Sequence, residues 1–107
     1  MKQKEQILSS IRHVSAEVMP TGASVILFGS QARGDAREDS DWDILILMEK
    51  ERIRNEDFDN IAFPFVELGW RLGVEINPLI YTYNDWKKRH FTPFHHAISE
   101  EGIEIWH

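Results

Sequence analysis

The chain has no cysteine, which excludes disulfides and thiolate metal sites. No apolar run approaches the roughly 20 residues that cross a bilayer, and Met1 to Gln6 lacks the apolar core of a signal peptide. A cytoplasmic location without a membrane partner is therefore expected. Positive charge is in the minority, with 12 Lys and Arg against 18 Asp and Glu and a formal net charge of −6. This balance argues against non-specific binding to a nucleic-acid backbone, which needs clustered cations. The basic cluster Lys87-Lys88-Arg89 reads either as solvation of a helix or as a guide for a triphosphate. Repeats, linkers and low-complexity tracts are absent, and 107 residues suit one domain spanning 1–107 with a modest core.

What is present is strong periodicity. Ile7, Leu8, Ile11, Val14 and Val18 recur at helical spacing, and Pro20 with Gly22 ends that helix. Ser24 to Phe28 and Ile44 to Met48 are short apolar runs that predict strands. After a charged connector, Glu49 to Arg54, Asn55 reads as a helix cap, and Phe58, Ile61, Ala62, Phe65, Leu68 and Leu72 form a helical face that Pro64 must kink or split. Gly73 stops it, and Val74 to Thr82 predicts a strand in which Pro78 demands an edge or a bulge. Asn84 is placed to cap a short helix holding Trp86, Thr92-Pro93 starts another, and Ile103 to Trp106 is a final strand. His90, His95 and His96 read as surface or core side chains, and Trp70, Trp86 and Trp106 as packing in the core or against a partner.

The chemistry concentrates between the first two strands, in Gly29-Ser30-Gln31-Ala32-Arg33-Gly34 and Ser40-Asp41-Trp42-Asp43. A Gly-Ser turn leaving a strand and entering a helix offers free N–H groups to phosphate oxygens. Gly29 lets the backbone approach, and Ser30 adds a hydroxyl donor. Asp41 and Asp43 are two apart at the start of a strand, so both carboxylates leave one face and can share divalent cations, while Trp42 points away. Arg33 either reaches a triphosphate or pairs with an acid such as Asp39. Ser40 either orients the Asp pair or is an ordinary turn residue. A Walker A loop is rejected because Asp35 and Ala36 stand where Lys and Ser or Thr are required. A dinucleotide fingerprint fails at Gln31, and a calcium loop fails at Ile44 and Lys50.

Together these residues resemble the nucleotidyltransferase signature of the DNA polymerase β superfamily, and the variant G-S-x-A-R-G with S-D-x-D is similar to the minimal nucleotidyltransferase (MNT) domains of bacteria and archaea. The resemblance implies an α/β fold, a small mixed sheet flanked by helices, and transfer of a nucleoside monophosphate from an NTP such as ATP with two Mg²⁺ ions. It implies Asp41, Asp43 and Glu75 as catalytic metal ligands, Glu75 being the third acid at the head of the later strand, and Gly29, Ser30, Arg33 and Ser40 as the nucleotide-binding set. The acceptor it suggests is a hydroxyl of a helical HEPN-like protein, as in toxin–antitoxin pairs, or a small hydroxylated molecule. The alternative class is a non-catalytic binding module of the same fold. With little chain left for an acceptor lobe, a partner protein or a second copy is expected to dock on an exposed apolar patch near Phe91, Phe94 or Trp106.

Overall fold

The computed structural model describes residues 2–107; Met1, the first residue of the segment read for a signal peptide, lies outside the described residues. The framework is a four-stranded sheet of order β3-β2-β1-β4, built from β1 (Ser24–Phe28), β2 (Trp42–Met48), β3 (Ile76–Thr82) and β4 (Ile103–Trp106). β1 runs antiparallel to β2 and β4, while β2 and β3 are parallel, so the sheet is mixed as expected. The helices are α1 (Lys2–Val18), α2 (Ser30–Arg33), α3 (Asn55–Asp57), α4 (Phe63–Leu72), α5 (Tyr83–Lys88) and α6 (Pro93–Glu101), with a π-helical turn, Phe58–Ala62, leading into α4. Among the described residues no helix is long and apolar enough to cross a membrane.

β2 explains its own continuous apolar run, because it is buried on both faces. Ile44, Ile46 and Met48 join a cluster with Ile7, Ile11 and Val14 of α1 and Phe65 and Leu68 of α4. Leu45 and Leu47 face the other way, onto Trp86 of α5 and Ile98 of α6. Trp42, 4% exposed, belongs to the first cluster. By alternation the neighbouring residues 41 and 43 therefore emerge on the face of Leu45 and Leu47, where Asp43 is half-buried and Asp41 exposed.

Pro64 splits the third helical segment, ending the π-helical turn and standing in the first turn of α4, where its missing N–H costs nothing. Two caps differ from expectation. Arg54 rather than Asn55 caps α3, because the Asp57 carboxylate reaches back to the Arg54 N–H at 2.8 Å while Lys50 Nζ holds it at 2.7 and 3.0 Å. Thr82 rather than Asn84 caps α5, its hydroxyl accepting the Asp85 N–H at 3.0 Å. Thr92 caps α6 as expected.

β3 begins at Ile76 and forms one edge of the sheet, which accommodates Pro78 without a bulge. The Trp42 N–H donates to the Glu75 carbonyl at 2.8 Å. In a parallel ladder this turns the backbone polar groups of residues 75, 77, 79 and 81 toward β2 and those of 76, 78 and 80 outward, so the nitrogen of Pro78 faces the open edge.

Candidate active site

Gly29 leaves β1 with φ 75° and ψ −159°, a conformation that L side chains rarely adopt. A Cβ there would lie 2.6 Å from Asp43 Oδ2 and 3.5 Å from its Cγ. Two separate constraints thus require glycine, and the second brings the turn's backbone against the carboxylate. The Gly29 carbonyl accepts from the N–H groups of Ala32 and Arg33, both at 3.0 Å. Those of Ser30 and Gln31 precede the first intrahelical donor and are available to an anion. Because α2 is a single turn closed by Gly34 at φ 87°, the local N–H groups, rather than a long macrodipole, supply the positive potential.

Across the sheet, Asp43 is in register with Phe28 of β1 and Asn77 of β3. Asn77 Nδ2 donates to Asp41 Oδ2 at 3.1 Å and to Asp43 Oδ1 at 3.4 Å. One amide nitrogen reaching both carboxylates shows that their oxygens converge on a small region, with Trp42 and Ile44 buried behind them. Two hard oxygen donors of this kind suit Mg²⁺, which takes one or two carboxylates and completes its shell with water and substrate phosphates.

Among the described residues no group of three or more His, Cys, Asp or Glu gathers where it could hold a metal ion. Glu75 is exposed, one residue before β3, and touches β2 through its backbone carbonyl. Asn77 is the side chain that meets both acids. It shares strand parity with Glu75, two positions on, and this periodicity was the signal by which it could have been found.

The remaining expected residues are placed as follows. Arg33 pairs with acids, but with Glu101 of α6 at 3.2 Å and Asp35 at 3.3 Å rather than Asp39. The hydrogen bonds to Glu101 and then Asp35 hold its guanidinium pKa above the ordinary arginine value. Ser40 Oγ accepts the Arg37 N–H at 2.7 Å and its carbonyl accepts from Gln31 Nε2 at 3.3 Å, so it closes the loop that delivers Asp41. Gln31 Oε1 is buried without a partner, a group that the motif reading passed over. His95 stacks on Trp86 at 4.6 Å and His96 pairs with Glu100, while Arg89 covers the Tyr81 ring at 4.9 Å. Of the patch residues, Phe91 is 79% and Phe94 41% exposed, whereas Trp106 packs against the first core cluster.

The profile of the nucleotidyltransferase domain matches residues 5–99. The chain belongs to the nucleotidyltransferase domain family. A Methanocaldococcus jannaschii relative carrying the name putative protein adenylyltransferase is 31% identical over 102 residues, covering 95% of this chain and 96% of the relative. In three dimensions this nucleotidyltransferase domain is similar to a toxin–antitoxin crystallised with AMP-PNP, with a TM-score of 0.63 and 17% identity over 92% of this chain and 72% of that one. A crystal structure from Sulfolobus solfataricus described as a putative nucleotidyltransferase gives a TM-score of 0.58 at 20% identity, covering 98% of this chain and 84% of the other. At such identities these two likenesses speak for the nucleotidyltransferase fold.

Proposed function

We propose that this nucleotidyltransferase domain transfers AMP from ATP to a hydroxyl of a protein partner, and that it acts as the antitoxin of a toxin–antitoxin pair whose partner is a helical, HEPN-like protein. The observation that carries the chemistry is the contact between Gly29 and Asp43, which sets a phosphate-binding turn directly beside a carboxylate pair. The adenylyltransferase name of the relative and the toxin–antitoxin neighbour support the choice of nucleotide and partner.

In this reading Asp41 and Asp43 would hold two Mg²⁺ ions, which neutralise the triphosphate and acidify the acceptor hydroxyl. Gly29 and Ser30 take the β and γ phosphate oxygens, fixing the α-phosphorus for in-line attack. The acceptor oxygen forms a bond to the α-phosphorus as the bond to the bridging oxygen breaks, and pyrophosphate departs toward the turn. Glu75 is assigned the acceptor side, taking the hydroxyl proton. Arg33 acts through Glu101 and Asp35, holding the turn, and Ser40 positions the loop before Asp41.

The test is incubation of the purified protein, alone and with its co-purified partner, with α-labelled ATP and Mg²⁺, followed by intact-mass analysis of both chains. Addition of one AMP to the partner is expected. Binding of MgATP without transfer to a partner, a second copy or a small hydroxylated metabolite would make the protein a binding module instead.

A further inference from the structure

Gln31 belongs to both halves of the candidate site. Its backbone N–H is one of the two that α2 leaves available to an anion, and its side chain crosses to the loop before the acids, where Nε2 donates to the Ser40 carbonyl at 3.3 Å. Asp41 follows directly. A carbonyl only accepts, so it fixes which end of the amide faces it and leaves Oε1 on the other side. That oxygen is buried and has no hydrogen-bond partner among the described residues.

The support around Asp41 shows what this reach accomplishes. From Trp42 onward the chain is held by the sheet, and Asp43 lies against Gly29, whereas Asp41 stands one residue outside β2. The turn before it is closed within itself, by the Ser40 N–H on the Arg37 carbonyl at 3.1 Å and the Arg37 N–H on Ser40 Oγ at 2.7 Å. Such bonds give the turn its shape but not its place. Arg33, the other long side chain of α2, is directed to Asp35 and Glu101. The Gln31 amide therefore sets the distance between the phosphate turn and the residue that delivers Asp41.

A buried oxygen that has lost water without gaining a donor lowers stability. An apolar side chain of similar length would avoid that penalty, and Gln31 lines a cavity of about 260 Å³ beside Ile7, Trp42 and Val74 that would suit one. Packing alone thus disfavours glutamine here, and its presence is explained by the site. We infer that Gln31 is a positioning residue, holding Asp41 in register with the phosphate turn so that a metal ion on the carboxylates and phosphates on the turn strengthen each other's binding. The inference rests on the transfer reaction proposed above, and it concerns a side chain that takes no part in the chemistry.

The experiment compares the full chain with Gln31→Met, which keeps the length of the side chain and removes both polar atoms, and with Gln31→Asn, which keeps the amide but withdraws it from Ser40. ATP affinity is measured by amide NMR titration in Mg²⁺ and in EDTA, alongside the melting temperature. In both variants the enhancement of ATP affinity by Mg²⁺ is expected to fall about tenfold, while affinity in EDTA stays within about twofold of the parent. Gln31→Met is expected to melt no lower than the parent, and its Ser40 amide to exchange faster with solvent. Gln31→Asn keeps the test decisive should Gln31→Met fail to fold. Parallel losses in Mg²⁺ and in EDTA would make Gln31 a support of the turn alone and overturn the role, as would an enhancement retained in either variant. A parent chain that shows no Mg²⁺ enhancement overturns the transfer reaction itself. A parent that shows it, with variants that keep it, overturns the positioning role alone.

Discussion

Asp43 Oδ2 occupies the space that the first carbon of any side chain at Gly29 would need, 2.6 Å from where that carbon would stand. Gly29→Ala must therefore move either the turn or the carboxylate, in addition to adopting a positive φ. Urea unfolding is expected to show a loss of about 1–3 kcal/mol, and calorimetry a loss of MgATP binding. A variant as stable as the parent that binds MgATP normally would show that the turn and the acid are not coupled.

Asp41→Asn and Asp43→Asn keep the shape of the side chains and remove charge. Each is expected to abolish Mg²⁺-dependent ATP affinity without lowering the melting temperature, since relieving like-charge repulsion offsets the weaker hydrogen bond from Asn77 to an uncharged acceptor. Titration with ATP in Mg²⁺ and in EDTA checks it. Metal-dependent affinity that survives in both variants removes the pair from the site.

Asn77→Asp replaces a donor by a third carboxylate. The metal-free protein is expected to lose about 1 kcal/mol, from the lost hydrogen bonds and added repulsion, and Mg²⁺ is expected to restore the melting temperature. Thermal shift with and without Mg²⁺ reads both effects. No metal response would place residue 77 outside the coordination zone.

Asp57 carries a predicted pH dependence. The hydrogen bond from Lys50, reinforced by the Arg54 N–H, holds its pKa below the usual carboxylate value. A folded pKa below the unfolded one, about 3.9, gives stability that is complete above that value and lost as pH falls through the folded pKa. Asp57→Asn is expected to cost about 1 kcal/mol at pH 7 and progressively less toward pH 3. Denaturant unfolding across that range measures the difference, and a pH-independent cost contradicts the assignment.

The strands and most helices were legible because their periodicities are strong. Ile44 to Met48 reads as a buried strand from composition alone, and the positions of Pro64 and Thr92-Pro93 mark real helix boundaries. The Gly29 turn and the convergence of Asp41 and Asp43 followed from residue type and strand parity. The caps were less legible, since Asp57 and Thr82 compete with Asn55 and Asn84 at spacings that local preference does not rank. Asn77 was missed because its place beside the acids depends on the register of β3 on β2, Asp43 opposite Asn77, and pairing register is a tertiary property. The partner of Arg33 was hidden for the same reason, as Glu101 lies 68 residues away.

Pro78 removes one donor from the outward edge of β3, beside the half-exposed Leu79. A strand from another chain could not complete a ladder there, so the protein resists edge-to-edge sheet growth along that flank. Pro78→Val restores the missing N–H and a β-branched side chain. The cost of that repair would be colloidal: fibrillar self-association rather than unfolding.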